Sequence, residues 1–215
     1  MAWVLEDQAN SGGIQNGITT VSVTFAGTPA NDELILLGFV SDSGCTTNVP
    51  SGFTRFVNST TLGITLCWFW KKASGESGAT YTVTMTSTGN CVLRGAVWSG
   101  QDLTTPIDVV GTIVDDSNTI TGVTTTTTAC MAISGSGSRD TYTGAPPATW
   151  TKFTDDTNDR NSFAYKEFAA AGATGNAVWT SFFPFGVGIM FALRPAGGAP
   201  PANLRRYSLT TLGVG

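Results

Sequence analysis

The sequence predicts an all-β protein: an antiparallel β-sandwich of jelly-roll type, built from two similar interleaved halves, with an extended C-terminal tail. Three observations carry that expectation. Apolar residues alternate with threonine and serine along several short segments, the period-two pattern of strands with one dry face and one wet face. Charged residues are 12% of the 215-residue chain, about half the usual share, while glycine is frequent at 26 residues. That profile suits many strands joined by tight turns. The third observation is an internal repeat. Pro50-Ser51-Gly52-Phe53-Thr54-Arg55-Phe56 matches Pro147-Ala148-Thr149-Trp150-Thr151-Lys152-Phe153 at 147 − 50 = 97. Leu34-Ile35-Leu36-Leu37-Gly38 matches Cys130-Met131-Ala132-Ile133-Ser134 at 130 − 34 = 96, and Gly78-Ala79-Thr80 matches Gly172-Ala173-Thr174 at 172 − 78 = 94. Three segments in one order at nearly constant spacing mark a duplication.

Taken in order, Val21, Val23 and Phe25 alternate with Ser22 and Thr24, and Gly27–Asp32 is a turn. Glu33–Val40 is a nearly unbroken apolar run and predicts a central strand. After the 41–48 loop, the proline of the repeated motif stops one strand and its aromatic starts the next. Leu62–Lys72 has apolar residues on both parities, so it is covered on both sides. Tyr81, Val83 and Met85 alternate with Thr82, Thr84 and Thr86, and Val92–Trp98 is a further apolar strand. In the second half the expected strands are Ile120–Thr128, Ala129–Ser134, Asn161–Phe168, Asn176–Phe182 and Phe185–Leu193, with Gly135–Ser138 as a loop. Only Glu167–Ala171 has any helical character. The halves span about 20–109 and 119–195 within one sandwich domain, 1–195, each supplying strands to both sheets. Residues 196–215 form a Pro/Gly linker and a short tail carrying Leu204, Arg205, Arg206, Tyr207, Leu209 and Leu212.

Composition narrows function. A formal net charge of −4 and no basic cluster longer than Lys71-Lys72 or Arg205-Arg206 argue against nucleic-acid binding. No run of eighteen apolar residues suits a membrane helix, and the N-terminus lacks the basic and apolar regions of a secretion signal, so the expected place of synthesis is the cytoplasm. Without histidine there is no Ser-His-Asp or Cys-His machinery and no histidine metal site. The cysteines (Cys45, Cys67, Cys91, Cys130) lack CxxC spacing; Cys67 and Cys130 read as buried thiols, and Cys45 and Cys91 lie near strand ends where a bridge is conceivable. No nucleotide-cradling glycine motif occurs.

Carboxylates and tryptophans remain. Asp155-Asp156-Thr157-Asn158-Asp159 offers oxygen ligands for calcium, but its spacing is not that of an EF-hand loop, and aspartate and asparagine favour turns for their own reasons. Glu33, Glu76 and Glu167 are the carboxylates a glycosidase pair would draw on, yet nothing in their spacing demands that geometry. The expectation is therefore no catalytic site, no cofactor and no metal. Of six tryptophans, Trp68, Trp98 and Trp179 lie in apolar strands and predict core packing, while Trp3, Trp70 and Trp150 complete the set. An exposed aromatic row would instead mark a carbohydrate-binding module.

Pro50-x-x-Phe53-Thr54, Trp70-Lys71, Trp98-Ser99-Gly100-x-Asp102-x-x-x-Pro106-Ile107-Asp108, Gly172-Ala173-Thr174-Gly175 and Ala192-Leu193-Arg194-Pro195 together resemble a loosely defined group of β-sandwich modules of tailed-phage virion proteins and prophage-like genes. The resemblance covers most of residues 20–195. It implies a non-enzymatic particle component located in the virion: a capsid decoration (cement) protein, or alternatively a carbohydrate- or receptor-binding module of a tail fibre. The partner it implies is the major capsid or tail protein, with the chain itself a homo-oligomer and the tail residues Leu204, Arg205, Arg206, Tyr207, Leu209 and Leu212 docking on a neighbour.

Overall fold

The computed structural model describes residues 2–12, 14–42, 44–142, 144–153, 159–180 and 186–197, leaving aside the side chains of 140–142 and 159. Every regular element among them is a strand. The first half supplies β1 (Val4–Asn10), β2 (Gln15–Thr24), β3 (Leu34–Ser41), β4 (Thr54–Thr61), β5 (Ile64–Lys72) and β6 (Thr80–Ser99). The second supplies β7 (Ile107–Val110), β8 (Val114–Asp115), β9 (Thr119–Ile120), β10 (Thr124–Thr125), β11 (Cys130–Tyr142), β12 (Thr151–Lys152), β13 (Asp159–Phe168), β14 (Gly172–Ala173), β15 (Ala177–Val178) and β16 (Gly186–Leu193).

Two six-stranded antiparallel sheets result. One has the order β1-β6-β3-β5-β4, with β2 also on β6; the other has the order β12-β13-β11-β16-β7, with β8 also on β16. Ladders β10-β14 and β9-β15 complete the second half. The chain is thus the expected all-β antiparallel sandwich, but the strands are divided differently from the expected interleaving: one large sheet uses strands before residue 100 and the other strands after residue 106, so Ile107–Val110, read as the end of the first half, joins the second sheet. Local closure explains this. β4 and β5 join through Leu62 (φ 51) and Gly63 (φ 75), two consecutive left-handed residues as in a type I′ hairpin. Pairing strands that are near in sequence costs less loop entropy than exchanging them between halves.

The duplication extends to hydrogen-bond register. Leu34 pairs with Lys72 and Met131 with Glu167, offsets of 97 and 95 (131 − 34 and 167 − 72) that match one seam-facing residue to another, one place on from the Cys130 of the sequence alignment. Ile35 pairs with Val97 and Ala132 with Ala192, again 97 and 95 (132 − 35 and 192 − 97). The outer strands correspond too: Leu5 of β1 lies opposite Trp98, and Ile107 of β7 opposite Leu193. Each outer strand lends an aspartate to a turn, with Asp7 Oδ2 accepting the Ala26 N–H and Asp108 Oδ2 accepting the Thr126 N–H, both at 2.7 Å.

Alternation along β3 sends Leu34, Leu36 and Val40 to one face and Ile35, Leu37 and Phe39 to the other. The second set closes a core within the first half, under the ribbon formed by β2 and the start of β6, with Val21, Val23, Phe25, Phe69, Tyr81 and Val83. Ile120, Val123, Ala164, Trp179 and Met190 form the equivalent core of the second half. The first set meets Ile133, Phe163, Ile189 and Phe191 from the opposite sheet, together with Trp68 and Trp98, in a seam shared by both halves.

Four sequence expectations change. The separate strands at Tyr81 and Val92 are one twenty-residue strand, β6, which carries β2 on its first part and lies between β1 and β3 on its last. Irregular register around Ile18 and Gly89 marks the change of partner, as β-bulges do. The threonine-rich stretch 120–128 forms only the short β9 and β10, and Glu167 and Phe168 finish β13 instead of starting a helix. The expected Gly135–Ser138 loop is inside β11. Its glycines answer to packing across the seam. A Cβ on Gly135 would stand 2.8 Å from the Trp68 ring and 2.9 Å from Phe163, and one on Gly38 would stand 2.4 Å from Phe163 and 2.9 Å from Trp68. Each glycine lies beside one ring in its own sheet and beneath the other ring from across, and the two rings meet at 4.4 Å.

Candidate functional site

The two ends of the seam differ. Where β3 finishes and β13 begins, polar groups tie the halves together: Arg94 Nε donates to Asn161 Oδ1 at 2.7 Å, Arg160 pairs with Asp42, and Thr61 donates to Asp115 at 3.3 Å. Arg94 is 4% exposed and Asn161 fully buried, so this link is a desolvated one that is costly to break.

At the other end, where β6 and β13 finish, the seam opens into a cleft of about 430 Å³. Its walls are Trp3, Leu5 and Trp98 from the first half and Met131, Thr149, Thr151, Tyr165, Lys166 and Glu167 from the second. Strand parity places Tyr165 and Glu167 on the face of β13 that carries Phe163 into the seam, so an aromatic and a carboxylate reach the same opening. Trp98 forms the floor and holds both flanking rings edge-on, Trp3 at 6.2 Å and 89° and Tyr165 at 4.9 Å and 84°. Trp3 is anchored by its indole N–H donating to the Ala129 carbonyl at 2.6 Å. The buried Trp98 indole N–H has no hydrogen-bond partner among the described residues, an omission that costs on the order of 1–3 kcal/mol.

The rim is polar. Lys166 Nζ donates to Thr149 Oγ1 at 2.8 Å and lies 5.2 Å from the Phe168 ring centroid. Glu167 is exposed and makes no hydrogen bond or ion pair with the described residues. Thr149 has a φ of 72, where a β-branched side chain is strained by roughly 1–3 kcal/mol. Its counterpart in the first copy of the turn is Gly52, with a φ of 78.

A second cleft, of about 390 Å³, is lined by Glu6, Asp7, Glu33, Val97 and residues 26–30. All three of its carboxylates are already engaged, Glu6 by the Ser99 hydroxyl, Asp7 by Ala26 and Gly27 N–H and Glu33 by Ala30 N–H. Among the described residues no three acidic or cysteine side chains are grouped to hold a metal ion.

The three glutamates singled out from the sequence are not brought together in one cleft. Glu33 caps the turn before β3, and Glu167 stands at the aromatic cleft. Glu76 is bound by Lys71 Nζ at 2.7 Å and by the Tyr81 hydroxyl at 3.0 Å. Burial works against its charged form, but the bonds from Lys71, the Ser74 N–H and Tyr81 outweigh it and hold the carboxyl below its usual range. The aspartates at 155 and 156 and the side chain of Asp159 lie outside the described residues, as do the tail residues Leu204, Arg205, Arg206, Tyr207, Leu209 and Leu212. Trp68, Trp98 and Trp179 are core residues at 2%, 1% and 0% exposure, as their strands predict, whereas Trp3, Trp70 and Trp150 are half-buried. All four cysteines are buried free thiols, so Cys45 and Cys91 are not bridged. Burial raises the Cys91 thiol to about 12, with Cys45 and Asp42 adding to the effect.

Sequence reasoning missed Trp3, Thr149, Thr151, Tyr165 and Lys166 as one constellation. A signal was present: at the left-handed position of the repeated turn the first copy has glycine and the second threonine. No described helix is long and apolar enough to cross a membrane. The fold defines the class, a duplicated all-β antiparallel sandwich. In comparison with known proteins, the chain matches no family model, no curated protein and no solved structure.

Proposed function

We propose that the protein is a structural component of a bacteriophage virion, a capsid decoration (cement) protein that binds the particle surface as a homo-oligomer and acts without catalysis. The observation that carries this reading is the anchored exit of the chain from a rigid body. After β16, Pro195 bridges to Gln101, Ala196 N–H donates to the Gly100 carbonyl at 2.7 Å, and Gln101 Nε2 donates to the Asp32 carbonyl at 2.8 Å. A Cβ on Gly100 would stand 2.5 Å from the Ala2 carbonyl, so the N-terminal strand packs at the same point. The described chain therefore ends at a fixed place on the body, and the segment 198–215 that follows, with Pro200 and Pro201 near its start, suits an arm that docks on the major capsid or tail protein. Few charges, threonine-faced strands and three apolar cores suit a body that must persist outside the cell.

Co-sedimentation with purified virions tests this reading. The full-length chain is expected to be found on particles at fixed stoichiometry. A chain truncated after Gly197 should keep its melting temperature and lose occupancy. Absence of the full-length protein from particles would sink the proposal, and unchanged occupancy of the truncated chain would remove the arm from it.

A further inference from the structure

We infer that the cleft between Trp3 and Tyr165 is a saccharide-binding site that takes a hexopyranose unit of a larger glycan. Its volume, about 430 Å³, falls in the size range of small-ligand sites. Its chemistry selects among ligands. Two aromatic rings held edge-on by the Trp98 floor offer apolar surface, while the rim offers the Thr151 hydroxyl and the Glu167 carboxylate. A wholly apolar ligand would desolvate Glu167 without replacing its hydrogen bonds. A phosphate-bearing ligand would meet the Glu167 charge. A pyranose satisfies the set: a C–H face for a ring, hydroxyls that donate to Glu167, and hydroxyl oxygens that accept from the Thr151 hydroxyl.

Two further observations point to the same place. Thr149, which lines the cleft and accepts from Lys166, keeps a left-handed backbone that β-branched residues avoid and that glycine occupies in the other copy of the turn. In the first half, by contrast, Lys71 is spent on Glu76 at 2.7 Å and packs over Phe53 and Tyr81.

Calorimetry and tryptophan fluorescence with chitotetraose, cellotetraose, maltotetraose and β-1,4-galactotetraose, with inorganic phosphate as the anion control, test the assignment. At least one tetrasaccharide is expected to bind saturably with a dissociation constant of about 1 mM or tighter. Trp3→Ala should abolish that binding. Glu167→Gln, at an exposed residue that the fold does not use, should weaken it about fivefold or more, a loss of about 1 kcal/mol by the standard conversion. Thr149→Gly should weaken binding while raising the melting temperature, a combination that a purely structural threonine would not give. Glu33→Gln, in the other cleft, should leave binding unchanged. Absence of saturable binding by every tetrasaccharide at about ten times that concentration would overturn the inference, as would binding indifferent to both Trp3→Ala and Glu167→Gln.

Discussion

Gly52 and Thr149 occupy one position of one turn, two residues after Pro50 and Pro147, with φ values of 78 and 72. Both turns close with the same hydrogen bond, Phe53 N–H to the Pro50 carbonyl at 3.0 Å and Trp150 N–H to the Pro147 carbonyl at 3.1 Å. The surroundings differ. In the first half glycine takes the left-handed backbone at no steric cost, and the Lys71 stem lies 3.1 Å from where a Cβ would stand. In the second half threonine takes the same backbone under strain and uses its hydroxyl to hold a lysine at an open cleft. Duplication explains how both solutions persist in one chain: the turn is needed twice for architecture, and a copy supported by a shared core can tolerate a residue that is poor for folding.

The largest test of that view falls on the seam, since shared support is what allows one half to carry strain. Trp68 belongs to the first half and packs at 4.4 Å on Phe163 and 4.9 Å on Phe191 of the second. Trp68→Ala should cost about 3–5 kcal/mol in urea unfolding and shift one common transition. Two separated transitions, with only the first-half one displaced, would show that the halves do not share stability. A smaller effect comes from exchanging the turn residues. Gly52→Thr should destabilise by about 1–2 kcal/mol, through backbone strain and the Lys71 contact, while Thr149→Gly should stabilise by up to about 1 kcal/mol. Thermal melts that move in the same direction for both would break the comparison.

The smallest effect concerns the duplicated aspartate clamp. Around Asp108, burial disfavours charge, but the Thr126 hydroxyl and N–H, the Thr127 hydroxyl and the Arg194 guanidinium outweigh it and hold the carboxyl below its usual value. A carboxyl lowered on folding adds stability that is present above its unfolded value near 4 and is lost as pH falls through the folded value. Asp108→Asn should therefore flatten the fall of melting temperature below about pH 4. An unchanged acid limb would remove Asp108 from the account.

Much of the architecture is legible in one dimension because its signals are local. Tyr81, Val83 and Met85 alternate with threonines and are buried as their parity predicts, and the repeat reappears in the ladders with Leu34 matched in face by Met131, one residue from the Cys130 of the sequence alignment. The misread parts depend on contacts across the fold. Gly135 and Gly137 look like loop residues until Trp68 and Val40 are placed above them. β6 looks like two strands because its burial pattern changes where its partner changes from β2 to β1 and β3. The cleft draws Trp3 together with residues 149–167, a distance in sequence that no periodicity spans. Only the substitution of threonine for glycine in the second turn marks it.

The crossed packing of Gly38 and Gly135 under Phe163 and Trp68 has a consequence for how such a protein can change. A side chain can be added at position 38 only if the ring at 163 gives up its place, and at 135 only if the ring at 68 does. Substitutions at the seam are therefore inherited as couples. A library that varies one sheet at a time would return few folded members, whereas one that varies facing positions together would keep many.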